Sequence, residues 1–270
     1  ELHWLSMAGI AYFTLRNLSV ILDSWMQRNK TSSWMDMFAY QFFMPVIAVG
    51  PINRCENFSR SWRMRRFDAL QVATGAERAL AGLFVAVVLG TWMAGKAESL
   101  LSGMWGVNEG FLKIWSLSAF GWVQLYLVFS GLSAFAIGVA LMMGICLEEN
   151  FKKPYAAKTL MDFWTRWHVS LSEWCRDYVY QPVAVASRSR FFGLVAAMGA
   201  IGLWHESSVY YLLWALWHVL GIVLNRYWIR MINDRIPSTL MASGRVFGPL
   251  WVFAWLSLAE PVIRSFILGL

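Results

Sequence analysis

Long apolar runs divide this chain of 270 residues and limit the folds open to it. A helix needs about 20 mostly apolar residues to cross the hydrocarbon of a bilayer. Three runs approach that length: residues 4–22, which Arg16 interrupts, residues 79–95 and residues 209–224. Because a bilayer offers the backbone no water to hydrogen-bond, these runs predict an all-α, polytopic membrane protein.

Two further runs are long but uneven. As one helix, residues 111–146 would measure about 54 Å, nearly twice the thickness of the hydrocarbon core. We expect this run to bend, to break near Gly131 or to lie partly in the interface. Residues 247–270 are also long enough to span, and we expect Glu260-Pro261 to interrupt them.

Two runs are too short to span. Residues 37–50 end in Gly50-Pro51, and residues 191–204 end in Trp204-His205-Glu206. Runs of this length are more often re-entrant or buried than spanning. Non-helical backbone at membrane depth is tolerated where protein or a water-filled cavity covers it, so both ends are predicted places for a cavity.

Composition agrees with a membrane location. Hydrophobic residues make up 58% and charged residues 14% of the chain, against about 45–50% and 25% in soluble domains. The net charge of +7 does not indicate a nucleic-acid partner, because Lys and Arg lie in short stretches between apolar runs. By the positive-inside rule, the basic loops within residues 54–66, 152–158 and 226–235 are cytoplasmic, and 96–110 is external.

The segment from residue 160 to residue 183 mixes aromatic and charged side chains. Asp162 and Arg166 have the i,i+4 spacing that allows an ion pair on a helix. We expect residues 160–180 to form an interfacial helix at the cytoplasmic boundary. Its charges, Asp162, Arg166, Arg176 and Asp177, should then face protein or water.

The chain has four histidines, His3, His168, His205 and His218. Polar groups at membrane depth are costly and tend to be functional. His205 follows a short apolar run, so we expect it to be buried beside a cavity and to act as a general base, with His168 as second candidate. On one continuous helix His218 would point about 140° away from His205, which suggests a structural or supporting role.

Metal and cofactor motifs give no further candidates. No pair of histidines, or of histidine and cysteine, has i,i+3 or i,i+4 spacing, and H-E-x-x-H is absent, so we expect no metal site. Glycine-rich phosphate loops and G-x-S-x-G are also absent. We expect no tightly bound cofactor.

Three ordered motifs resemble the bacterial membrane-bound O-acyltransferase (MBOAT) family, in its polysaccharide O-acetylation and D-alanyl transfer branch. The central signature is similar to residues 149–155, 162–172 and 174–180. Gly202-Leu203-Trp204-His205, followed by Trp214 and His218, is similar to the second signature, and residues 42–45 with 50–54 are similar to the re-entrant segment.

The resemblance implies a single membrane domain over residues 1–270, without some N-terminal helices of full-length members, in the bacterial cytoplasmic (inner) membrane. Transmembrane, re-entrant and interfacial helices would enclose a tunnel in which a cytoplasmic acyl donor meets its acceptor. It also implies that His205 is catalytic and that His168 is the histidine of the first signature. The substrate-binding residues that we predict around them are Trp204, Trp167, Arg166, Asp177, Arg176 and Glu206.

Two residues depart from the family pattern. Glu206 stands where the family usually has Gly, and it would either pair with His205 and raise its pKa or narrow the tunnel. Ala134 stands where alginate-type members tend to carry Asp, which favours the D-alanyl type or a divergent branch.

The leading hypothesis is an O-acyltransferase that moves an acyl group, expected to be acetyl, from a thioester such as acetyl-CoA to a hydroxyl. The acceptor would be an exported polysaccharide or a partner protein, and membrane lipid and an acyl carrier protein are further expected partners. One alternative is D-alanyl transfer from a carrier protein to a cell-surface polymer. Another is a non-catalytic membrane scaffold for polymer export.

Overall fold

A computed structural model describes residues 3–26, 33–47, 49–105, 110–233 and 244–268. In these ranges every regular element is a helix and no strand occurs, which confirms the all-α prediction. The chain forms two compact units. Unit 1 contains Glu1–Ala94, Leu125–Asn150 and Val169–Trp174, and unit 2 contains Gly95–Gln124, Phe151–His168 and Cys175–Leu270.

The helices follow one another with short connections. Two 3₁₀ turns, Met44–Val46 and Pro154–Ala156, and a π-helical turn, Arg176–Tyr180, lie between them, and α4 is π-helical over Phe84–Met93. In chain order the helices are α1 (His3–Trp25), α2 (Trp34–Gln41), α3 (Cys55–Arg63), α4 (Ala69–Met104), α5 (Phe111–Met142), α6 (Leu160–Trp164), α7 (Val169–Cys175), α8 (Gln181–Ala186), α9 (Arg190–His205), α10 (Val209–Asn233) and α11 (Gly244–Leu268).

Four helices in the described ranges are long and apolar enough to cross a membrane. They are Ala69–Met104, Phe111–Met142, Val209–Met231 and Phe247–Ile267. The chain is therefore a multi-pass membrane protein. Residues 4–22 lie in α1, which is not among these four, and α9 is shorter than a span at 16 residues, as its run predicted.

Of the three alternatives for residues 111–146, a break near Gly131 does not occur, because α5 continues to Met142 and the chain turns only at Gly144, where φ is +74°. Gly131 instead allows close packing on α4. A Cβ atom at Gly131 would lie 2.6 Å from the carbonyl oxygen of Gly82 and 2.6 Å from the backbone nitrogen of Ala86. Small residues at such contacts let membrane helices approach closely.

Two other boundaries also differ from the sequence predictions. Helix α11 contains both Pro249 and Pro261, so Glu260-Pro261 does not interrupt it. Membrane helices tolerate proline where their surroundings satisfy the freed backbone groups.

The predicted external loop at 96–110 is helical as far as Met104. Residues 106–109 of that loop, and Arg235 of the predicted basic loop at 226–235, lie outside the described residues.

In unit 1, the short run 37–50 ends in irregular backbone that is firmly hydrogen-bonded. The Tyr40 hydroxyl donates to the carbonyl oxygen of Asn53 at 2.6 Å. The backbone N–H of Ile52 donates to Ser170 Oγ at 2.8 Å, and Ser170 Oγ also bonds Asn150 Oδ1 at 2.9 Å. The segment that was predicted to be re-entrant is thereby attached to α7, which begins directly after His168.

Substitution of Gly131 by Ala tests the contact between α4 and α5. The added methyl group has no room, so the variant should lose thermal stability. Gly121 lies in the same helix, and beyond its chain neighbours and the nearby backbone of that helix no atom of the described residues comes within 4 Å of the position that a methyl group would take there. Gly121→Ala should therefore leave stability unchanged or raise it by up to about 1 kcal/mol through helix propensity. Thermal melting in detergent measures both, and equal melting temperatures would contradict the close contact.

Candidate active site

His168 lies in a turn that the sequence did not predict. The expected continuous helix over residues 160–180 was wrong, because α6 ends at Trp164 and α7 begins at Val169. Between them His168 has φ +44°, a left-handed conformation that is uncommon outside glycine. Its side chain is buried, with 3% of its surface exposed. Conformations of this kind cluster at functional sites.

The charged residues of this segment form ion pairs. Arg166 Nε lies 2.6 Å from Asp162 Oδ1, which confirms the predicted i,i+4 pair. Arg176 Nε lies 2.8 Å from Asp177 Oδ1 on the π-helical turn.

The predicted residue Trp167 packs against other aromatic rings, and it stacks on the Phe163 ring at a centroid distance of 5.5 Å.

His205 is the last residue of α9, and α10 runs back along that helix. The two helices approach closely at Gly202, where a Cβ atom would lie 2.6 Å from the carbonyl oxygen of Tyr211. The His205 ring stacks on the Tyr211 ring at 5.2 Å and 17°, and meets the Trp214 ring edge-on at 5.7 Å. The return of the chain therefore fixes the orientation of His205.

The His205 side chain is exposed and not buried by protein, and its expected depth near the bilayer midplane stays a prediction. Protein packed around the ring still lowers the pKa of His205 through desolvation. Glu206 is also exposed and its backbone is extended, with φ −167°. Among the described residues no ion pair joins His205 to Glu206, so the expected pairing, with its raised pKa, is not seen.

Histidine and tryptophan rings alternate through unit 2 in what we call the Trp–His cluster. The Trp204 ring lies 5.9 Å from His168 and 4.8 Å from His205. The Trp214 ring, which contacts His205, lies 4.2 Å from His218. The full cluster comprises Trp164, His168, Trp204, His205, Tyr211, Trp214 and His218.

His218 belongs to this cluster, with the Trp214 ring between it and His205, and its structural or supporting role stays a prediction. The rotation argument assumed one continuous helix, whereas the chain reverses between α9 and α10. His218 is fully buried, with Trp164 on one side at 5.4 Å. Neither of its ring nitrogens has a hydrogen-bond partner among the described residues. Tyr211 was not named from the sequence, and Trp164 was named only as a member of the aromatic and charged segment, because ring contacts between helices leave no local pattern.

The electrostatics keep His168 neutral. Burial, and secondly the proximity of His205, lower the pKa of His168 to about 3. A neutral imidazole carries one donor and one acceptor nitrogen. Within the described ranges no group of three His, Cys, Asp or Glu side chains is arranged to hold a metal ion. The cluster therefore offers proton transfer and hydrogen bonding beside an accessible histidine.

Comparison with known proteins shows the family to which the chain belongs. The sequence pattern of MBOAT, the membrane-bound O-acyltransferase family, matches residues 2–259. The chain belongs to the MBOAT family. This membership confirms the resemblance found in the motifs, and it places both histidines of the two signatures inside the matched region.

Several relatives are named for the polymer on which they act. The chain is 30% identical over 259 residues to the probable alginate O-acetylase AlgI of Pseudomonas aeruginosa, covering 94% of this chain and 47% of that protein. It is 29% identical over 249 residues to the teichoic acid D-alanyltransferase of Streptococcus thermophilus, covering 84% and 58%. It is 25% identical over 288 residues to the peptidoglycan O-acetyltransferase of Helicobacter pylori, covering 93% and 54%. The chain thus spans about half the length of these relatives.

Substitution of His168 by Gln should make the protein less sensitive to acid. The unfolded chain has an ordinary His pKa of about 6.5, so on acidification it binds a proton that folded His168, with a pKa of about 3, does not. Because only the unfolded chain takes up this proton, the unfolding free energy of the wild type should fall by about 2 kcal/mol between pH 7 and pH 5. Unfolding titrations in mixed micelles at both pH values should show a smaller loss in H168Q. The same loss in both proteins would show that His168 is not held neutral by burial.

Proposed function

We propose that this chain carries the acyl-transfer site of an MBOAT enzyme. The enzyme takes an acyl group, acetyl in the first instance, from a thioester donor on the cytoplasmic side. It transfers the group to a hydroxyl of an exported polysaccharide or of a partner protein, in the bacterial inner membrane. The observation that carries the proposal is His205, an accessible imidazole at the end of α9, joined through Trp204 to the buried His168.

His205 acts as the general base. Its lowered pKa leaves the imidazole neutral at physiological pH, so it accepts the proton of the acceptor hydroxyl. The hydroxyl oxygen attacks the thioester carbonyl, and the carbon–sulfur bond breaks. The thiolate leaves, and the proton stays on His205. The rings of Tyr211 and Trp214 fix the imidazole, so that little reorganisation is needed as the proton moves.

The remaining predicted residues are assigned around this base. His168 is the second catalytic candidate, because a neutral imidazole N–H is suited to stabilise the oxyanion that forms on the carbonyl. Trp204 and Trp167 offer apolar surface to the substrates. Glu206, next to the base, and the paired charges Arg166, Arg176 and Asp177 are proposed to contact donor or acceptor.

Two other functions are distinguishable from acetyl transfer. D-alanyl transfer from a carrier protein is favoured by Ala134, and the chain is about as similar to the teichoic acid D-alanyltransferase as to the alginate O-acetylase, with identities of 29% and 30%. A non-catalytic scaffold is favoured if Glu206 disables the site. These functions differ in the donor that supports turnover, or in the absence of any turnover.

Replacement of His205 by Ala should abolish acyl transfer with the fold intact, and the melting temperature should fall by only a few °C, because the exposed ring loses contacts with no more than the Trp204, Tyr211 and Trp214 rings. The measurement is transfer of labelled acetyl from acetyl-CoA, and of labelled D-alanine from a carrier protein, to polymer in reconstituted membranes.

The variant His168→Ala is measured in the same assay. It should lower turnover of the folded protein if His168 is catalytic, and it should lower only stability if His168 is structural. Undiminished transfer by His205→Ala would refute the assignment of the base, and inactivity of the wild type with both donors would support the scaffold.

A further inference from the structure

Asn150 is a polar residue in the apolar interior of unit 1, and it has no role in the reaction described above. It belongs to the first part of the central signature, residues 149–155, and it is fully buried. A buried amide costs free energy unless its oxygen and its nitrogen are both hydrogen-bonded. The partners of this amide therefore indicate what Asn150 does.

Asn150 caps the start of α7. The first backbone N–H groups of a helix have no acceptor within that helix. The N–H of Val169 donates to the carbonyl oxygen of Asn150 at 2.9 Å, and the N–H of Ser170 donates to Asn150 Oδ1 at 3.4 Å. The hydroxyl of Ser170 donates to the same Oδ1 at 2.9 Å. A residue from another part of the chain thus supplies the acceptors that an N-cap residue usually supplies.

The nitrogen of the same amide attaches this cap to α5. Asn150 Nδ2 donates to Ser133 Oγ at 3.2 Å, and Ser133 is buried in α5. The oxygen of the amide therefore holds α7 while its nitrogen holds a long helix of the same unit. An Ala at position 150 would remove the side-chain acceptor of the Ser170 N–H in a place that water does not reach.

The two residues after Asn150 hold the other side of the turn, within unit 2. The N–H of Lys152 donates to the carbonyl oxygen of Arg166 at 2.9 Å. The Phe151 ring meets the Trp167 ring edge-on at a centroid distance of 5.1 Å. Residues 150–152 thus bond the chain two residues before His168 and again directly after it.

The backbone of His168 needs this support. Its φ of +44° is unfavourable for a residue with a Cβ atom, and such conformations persist only where surrounding contacts impose them. A return to negative φ would redirect the side chain and move the imidazole from its place beside the Trp204 ring, which lies 5.9 Å away. Because Val169 follows His168 directly, its bond to Asn150 opposes that return.

We propose that Asn150 is a positioning residue for His168, which it holds in the left-handed turn through Val169 and Ser170. The inference rests on the proposed function, because it concerns how His168 is presented to the reaction. Asn150 acts through the backbone of the turn, and the imidazole of His168 is the group that faces the reacting atoms.

The first measurement is the rate at which diethyl pyrocarbonate modifies each histidine, read by mass spectrometry on the protein in nanodiscs. Asn150→Ala should raise the rate at His168 by about tenfold, because the loss of a buried hydrogen-bonding partner favours local opening of the turn. The exposed His205 is the reference for full reactivity, and the fully buried His218 reports opening of unit 2 as a whole. The rate at His218 should stay unchanged.

The second measurement is steady-state transfer by the folded protein, with acetyl-CoA and with D-alanyl carrier protein as donors. Asn150→Ala should lower kcat by at least about tenfold, because a small displacement of a catalytic group slows the reaction steeply. The KM for the donor should stay within about twofold, since the variant removes no contact to the donor.

Two serine variants complete the design and remain informative if Asn150→Ala does not fold. Ser133→Ala removes only the partner of Asn150 Nδ2, and it should change both measurements in the same direction by a smaller factor. Ser19→Ala is the matched control, because Ser19 is a buried serine of unit 1 whose hydroxyl donates to the Arg16 carbonyl oxygen at 2.7 Å. It should change neither measurement.

The outcomes separate this inference from the proposed function. Equal rises in modification at His168 and His218 would overturn the inference, because Asn150 would then support the fold in general. An unchanged rate at His168 would overturn it as well, and so would selective exposure of His168 with unchanged kcat. In each of these cases normal transfer by the wild type leaves the proposed function standing. If the wild type transfers from neither donor, the proposed function fails, and with it the catalytic part of the inference.

Discussion

The close contact between α9 and α10 at Gly202 is the feature on which the candidate site depends. With no side chain at Gly202, α10 lies against α9 one turn before His205 and brings Tyr211 and Trp214 onto the imidazole. In a membrane there is little hydrophobic drive for helices to associate, so close van der Waals packing of this kind determines their arrangement. The position of the base is thus a consequence of helix packing.

Much of the fold could be predicted from the sequence because the bilayer permits few solutions. The long apolar runs became helices, the short run before His205 stayed short, and the pair of Asp162 and Arg166 formed as its spacing predicted. The errors arose where non-local contacts decided the outcome. Gly131 could not be read as a packing residue without knowing that α4 lies beside it, and His218 joined His205 because the chain reverses after α9.

The two signatures meet in the Trp–His cluster, which explains how residues far apart in sequence can serve one reaction. His168 lies in a strained turn and His205 at a helix end, and Trp204 contacts both rings.

The central claim is that acyl transfer takes place at His205. An electron cryo-microscopy map of the protein in nanodiscs, saturated with the non-hydrolysable thioether acetonyl-CoA, tests it most directly. The ketone carbon that replaces the reactive carbonyl should lie within about 4 Å of the His205 imidazole, close to the separation that a near-attack geometry requires. Density for the analogue elsewhere, with His205 contacting only protein or lipid, would contradict the account.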